Sequence, residues 1–133
     1  MNNKVYLADL THTVIGMNAP TFPLGVSFVH SYAKKMLGEE NYVFELFKFP
    51  DVLAGAIVEQ PPIILALSNY SWNFDLAYKI CNWAKKINPG LISVFGGPNF
   101  PVLADEKINF LVSRKKIDFY IEFEGEIGFV YLV

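Results

Sequence analysis

The chain has 133 residues, 53% of them hydrophobic and 18% charged, which fits one domain of about 100–150 residues with its own core and excludes intrinsic disorder. A net charge of −2 with a single Arg lacks the basic stripe of a nucleic-acid binder, and one cysteine, Cys81, excludes a disulfide framework, a four-cysteine zinc site or an iron–sulfur cluster held within this chain. The longest strongly apolar run, residues 61–67, is far shorter than the ~20 residues that span a bilayer. With no secretory signal after Lys4, a soluble cytoplasmic domain with no membrane partner is expected.

Apolar runs and helical patterns alternate along the chain. Residues 5–8 read as a strand, followed by a loop over 10–22. The window 24–37 places Val26, Val29, Ala33, Met36 and Leu37 at helical spacing, with Pro23 opening it, Lys34 and Lys35 at its negative end and Gly38 at its stop. A strand over 42–49 ends at Pro50, a short helix covers 51–58, and Pro61-Pro62 leads into a strand over 63–67. Asn73 reads as an N-cap for a helix burying Ala77, Ile80, Cys81 and Ala84, closed by Lys85, Lys86 and Asn88-Pro89-Gly90. A fourth strand over 91–95, a helix over 103–114 and a fifth strand over 117–123 complete the pattern, with Ile117, Phe119, Ile121 and Phe123 on one face of the last strand. Strand–helix alternation at this spacing gives βαβ units and a parallel sheet between helix layers.

Strands one, three and four are nearly uninterrupted apolar runs, as central strands covered on both faces should be. The second and fifth carry Glu45 and Lys48, and Asp118 and Glu122, and belong at the edges. The predicted fold is therefore α/β, a doubly wound flavodoxin-like (Rossmann-like) five-stranded parallel sheet in the order 2-1-3-4-5, with helices on both faces. In such sheets ligands sit beyond the carboxyl ends of the strands near the switch point. That directs attention to the loops after Ala8, Leu67, Phe95 and Phe123.

Those loops are rich in Gly, Ser, Asn, Thr and aromatics and poor in cations. They suit a large, mostly neutral ligand held by packing and hydrogen bonds, and suit a triphosphate poorly. No GxGxxG follows the first strand and no GxxxxGK[ST] occurs. A phosphoacceptor receiver domain needs an Asp ending strand three and a Lys ending strand five, where this chain has Ser68 and Glu124. Thr11-His12-Thr13 offers hydroxyls for a flavin phosphate, but about ten residues, including Pro20, separate them from the first helix, where a phosphate-cradling loop runs straight in.

Pro23-Leu24-Gly25 at the first helix, 68–73 after strand three (Ser68, Asn69, Tyr70, Ser71, Trp72, Asn73), 95–101 after strand four (Phe95, Gly96, Gly97, Pro98, Asn99, Phe100, Pro101) and Ile117-Asp118-Phe119 followed by Glu124-Gly125-Glu126 occur in one order at the strand ends. Taken together they resemble the amino-terminal cobalamin-binding domain that precedes the catalytic barrel of many radical S-adenosylmethionine enzymes. The resemblance covers essentially the whole chain. It implies a cobalamin whose nucleotide tail is buried in the sheet crevice, with the corrin over the strand ends. Ser68 is then expected to offer a hydroxyl, Asn69 and Tyr70 to lie against the corrin or its amides, and Trp72 and Phe100 to cover the ring edge. Gly96, Gly97 and Gly125 let the tail approach bare backbone, and Glu124 or Glu126 accepts from it; Thr11, His12, Thr13, Leu24, Gly25, Asn73, Pro98 and Asn99 complete the expected contacts. Where the family ligates cobalt through DxHxxG, this chain reads Asp9-Leu10-Thr11-His12-Thr13-Val14-Ile15-Gly16, wider in both gaps, which fits the radical-enzyme branch that leaves the lower face of cobalt without a His. No metal ligand or catalytic residue is therefore expected from this chain. The iron–sulfur cluster and S-adenosylmethionine belong to a radical domain in cis or in trans, and the pattern predicts a domain over 1–133 cut within its fifth helix.

Other readings stay open for each motif. Gly96-Gly97-Pro98 also reads as a tight strand–helix turn, Glu124 and Glu126 as carboxylates favoured at a helix start, Ser68 as bonded within its own loop, and Tyr70 and Trp72 as core-edge aromatics. For the whole chain the alternatives are a flavin mononucleotide-binding electron carrier and a cofactor-free interaction domain. Cys81 reads as a small buried hydrophobe.

Overall fold

The computed structural model describes residues 2–13 and 22–133. Most of the loop expected after the first strand, with Val14, Ile15, Gly16 and Pro20, lies outside the described residues. Five strands, β1 (Lys4–Ala8), β2 (Val43–Phe47), β3 (Ile64–Ser68), β4 (Ile92–Gly96) and β5 (Phe119–Ile121), alternate with helices α1 (Leu24–Leu37), α2 (Pro50–Glu59), α3 (Phe74–Ile87), α4 (Ala104–Ser113) and α5 (Gly125–Leu132). All neighbouring strands pair in parallel, in the order β2-β1-β3-β4-β5. This is the doubly wound arrangement that the charge pattern of the strands predicts.

Period-two alternation divides the central strands between two cores. Val5 and Leu7 of β1, Ile64 and Ala66 of β3 and Val94 of β4 face α1 and α5 with Ala33 and Phe129. Tyr6, Ala8, Leu65, Leu67 and Phe95 face the opposite layer, where α2 supplies Leu53 and Ile57 and α3 supplies Ala77, Cys81 and Ala84. Burial in that layer pushes the Cys81 thiol up, and its Sγ donates to the Lys116 carbonyl at 3.3 Å. The edge-strand carboxylates are paired: Glu45 with Lys4, Asp118 with Lys85 and Glu122 with Lys107.

Two local expectations are corrected. The fifth strand is three residues long, with Ile117 buried before it while Phe119 is exposed and Phe123 lies beyond it, 93% exposed. The clean alternation is broken because Asp118 turns back to accept from the Ser93 backbone N–H at 2.7 Å and from Lys85, which anchors the chain at the foot of β4. Asn73 occupies the position before α3 but makes no capping bond. Its amide instead ties the loop before α3 to the loop after β1.

Candidate functional site at the carboxyl ends of the strands

Register brings Ser68, Gly96 and Ile121 to one level at the carboxyl end of the sheet. By the two-residue period these continue the face of Leu7, Ala66 and Val94, the face covered by α1 and α5. Ala66, Ser68 and Gly96 are small, so the middle of that face is hollowed between larger flanks. The result is a cleft of about 240 Å³ with Leu7, Ala66, Val94 and Ile121 as floor, Val26 and Val29 of α1 on one wall, and Gly125, Glu126 and Phe129 of α5 on the other. Gly25, Ser68, Tyr70, Gly96, Gly97 and Phe123 ring its mouth.

Two hydrogen-bonded networks fix the loops around that mouth. Asp9, just after β1, accepts from Ser68 Oγ at 2.6 Å and from Asn73 Nδ2 at 3.2 Å. Asn73, fully buried, also donates to the Leu10 carbonyl at 3.2 Å and accepts from the Tyr70 N–H at 2.9 Å. His12 Nε2 lies 2.9 Å from the Trp72 carbonyl, so the β1 and β3 loops are joined twice. The second network ties the β3 loop to the β4 loop. Asn69, also fully buried, exchanges side-chain bonds with Asn99, donating to its carbonyl at 2.8 Å and accepting from its Nδ2 at 2.9 Å. Tyr120 OH donates to the Gly97 carbonyl at 2.8 Å while its ring stacks on Phe100 at 3.8 Å. Burial pushes the Tyr120 phenol up to about 12, so it remains a donor throughout the physiological range.

Gly97 has φ +130°, and a Cβ there would lie 2.5 Å from the Asn69 backbone oxygen. Its bareness is required by this loop-on-loop contact, whatever else approaches it.

Of the residues singled out from sequence, Gly25, Ser68, Tyr70, Gly96, Gly97, Gly125 and Glu126 line the cleft. The others stand outside its lining, for identifiable reasons. The Asn69, Asn73 and Asn99 amides are taken up by the two networks. Trp72 is 66% exposed and stacks on the back of Tyr70, with centroids 4.5 Å apart and planes within 10°. Thr11 holds the Lys48 carbonyl through its N–H at 3.1 Å, and His12 and Thr13 are exposed beside it. Leu24, Pro98 and Glu124 are exposed, and Phe100 is committed to Tyr120 and Phe110. Sequence reasoning missed the apolar floor and Phe123. The floor residues carry no signal separating them from ordinary core; small residues at positions 66, 68 and 96 on one strand face were the available clue.

Chemically the cleft is an apolar slot with few polar groups at its rim. No Lys or Arg lines it, and Glu126 is its one carboxylate. Both α1 and α5 begin at the mouth, so the N–H ends of two helices give it mild positive potential without a cation. Among the described residues no group of three His, Cys, Asp or Glu side chains is placed to hold a metal, and no helix is long and apolar enough to cross a membrane.

Comparison with solved structures shows the same fold in proteins of diverse kind. The receiver domain protein (CheY-like) of Methanospirillum hungatei matches with a TM-score of 0.61 at 11% identity, over 99% of this chain and 91% of that one. ADP-bound NtrX of Brucella abortus matches with a TM-score of 0.60 at 15% identity, over 99% of this chain and 26% of that one. A cobalamin-binding protein of Desulfitobacterium hafniense matches with a TM-score of 0.55 at 16% identity, over 90% of this chain and 52% of that one. No family model matches the chain. By sequence, the cobalamin-dependent radical SAM methyltransferase TokK of Streptomyces tokunonensis is 31% identical over 121 residues. A second relative, the 2-(S-pantetheinyl)-carbapenam-3-carboxylate methyltransferase of Streptantibioticus cattleyicolor, is 31% identical over 119 residues. Each alignment takes in 86% of this chain and 17% of the methyltransferase. The chain is thus similar, over most of its own length, to a minor part of much larger methyltransferases.

Proposed function

We propose that the cleft binds cobalamin, taking the nucleotide tail between the sheet and helices α1 and α5 while the corrin rests on the loops at the strand ends. The observation that carries this reading is the cleft's size and lining. At about 240 Å³ it falls below the roughly 300–1,000 Å³ of pockets that enclose a drug-sized ligand, so it takes one arm of a large ligand. Its apolar floor suits a flat base. Its helix N-termini, without any cation, suit a phosphodiester better than a phosphate monoester or triphosphate. Similarity to a cobalamin-dependent methyltransferase supports the same assignment.

In this reading Gly25, Gly96 and Gly125 leave room for the tail, and Ser68, oriented by Asp9, and Glu126 offer polar partners at the rim. Tyr70, backed by Trp72, gives a flat apolar surface to the corrin side. Bound cobalamin supplies the cobalt centre for group transfer. This chain positions and shields it for a radical S-adenosylmethionine domain, which holds the iron–sulfur cluster.

The test is reconstitution: mix the purified chain with hydroxocobalamin, desalt, and record the visible spectrum and the melting temperature. A red protein fraction carrying close to one corrinoid per chain, with a ligand-linked rise in Tm, is expected. Cobalamin recovered wholly in the small-molecule fraction, with Tm unchanged, would refute the assignment.

A further inference from the structure

Phe123 differs from every other apolar side chain around the cleft. Its ring is 93% exposed although it belongs to the cleft lining. Its backbone has φ +57°, the left-handed region, the only such value outside glycine among the described residues. A residue with a Cβ adopts that conformation at a cost. The fold does not explain the combination, since a glycine at this corner would make the same turn without strain and without showing a ring to water. Strain of this kind persists where function uses the geometry it imposes.

Its placement shows which geometry that is. Phe123 lies two residues beyond Ile121 and two before the start of α5, at the mouth. Tyr70 stands at the same mouth on the β3 side, and β4 separates the two. Phe123 therefore stands on the β5 side of the mouth, across β4 from Tyr70.

We infer that Phe123 is a binding residue for the cleft's ligand: the left-handed backbone holds its ring out so that it lies on a flat apolar surface of the bound corrinoid. The inference rests on the cobalamin reading above. Binding buries a ring that the free protein leaves in water, so stability without ligand and affinity for ligand oppose one another at this position.

The experiment compares the full chain with Phe123→Gly and Phe123→Tyr, by thermal melting without ligand and by equilibrium dialysis against hydroxocobalamin. Phe123→Gly is expected to melt about 3–5 °C higher, since the strain is removed and little burial is lost, and to bind hydroxocobalamin about tenfold more weakly or worse. Phe123→Tyr keeps the ring and binds within about twofold of the unmodified chain. Equal binding by Phe123→Gly, a lower melting temperature for it, or failure of Phe123→Tyr to retain affinity each overturns the inference while leaving the cobalamin site standing. No binding by the unmodified chain overturns both.

Discussion

Gly25 allows the cleft to be blocked without harming the fold. It lies in the first turn of α1, and a Cβ built on it meets nothing closer than Tyr70 OH at 3.8 Å. A side chain at this position therefore grows across the mouth toward Tyr70 through open space. Replacing glycine by leucine in a helix contributes up to about 1 kcal/mol from backbone propensity, less in a first turn. Complete burial of a leucine contributes about 1.5–3 kcal/mol, of which an open mouth realises about half. Gly25→Leu is accordingly expected to stabilise the free protein by about 1–2 kcal/mol, which for a chain of this size raises Tm by about 3–8 °C. A ligand entering the cleft must then displace that leucine, so affinity for hydroxocobalamin should fall at least tenfold, about 1.4 kcal/mol. Calorimetric melting and a spectroscopic titration of the same sample measure both quantities. A fall in Tm would show that the space beside Tyr70 is not open, and undiminished affinity would show that the ligand does not use this cleft.

Three further outcomes follow from the loop networks and the edge strand. Gly97→Ala forces a Cβ to within 2.5 Å of the Asn69 backbone oxygen and should lower stability in urea titration by about 2–4 kcal/mol. Asn69→Ala removes a fully buried amide that joins the β3 and β4 loops, leaving Asn99 short of partners. A loss of about 2–3 kcal/mol is expected, read by the same titration. Partial burial alone raises the Asp118 carboxyl, but hydrogen bonds from Lys85 and the Ser93 N–H outweigh it and hold the group below its ordinary 3.8. The unfolded chain then binds the proton first, so this contribution is present above pH 3.8 and is lost as pH falls through the lower folded value. Asp118→Asn should remove that part of the acid dependence, measured as Tm against pH between 2 and 6; an unchanged profile would refute the role of this pair.

Most of the fold was legible because its determinants are local. Apolar runs without charge placed β1, β3 and β4 inside, and Glu45, Lys48, Asp118 and Glu122 placed β2 and β5 at the edges. The length of β5 was not legible, since the residue that ends its regular pairing on one side, Asp118, is engaged by Ser93 and Lys85 from distant parts of the chain. The cleft was legible as far as its rim. Gly25, Ser68, Tyr70, Gly96 and Glu126 have turn and loop chemistry that marks strand ends. The networks were not: Asn73 has the composition and position of an N-cap, and only three dimensions show its amide bonded to Asp9 and Leu10. Phe123 read as sharing a strand face with Ile117, Phe119 and Ile121, but alternation predicts direction only while the strand continues, and this strand stops at Ile121.

The most direct measurement pits cobalamin against cobinamide, the same corrin without the nucleotide tail, in binding to this chain. If the cleft between the sheet and helices α1 and α5 holds the tail, cobalamin binds at least about 100-fold tighter, a difference of about 2.7 kcal/mol, and Gly25→Leu erases that preference. Equal affinity for the two corrinoids would contradict the account, since the cleft would then contribute nothing to recognition.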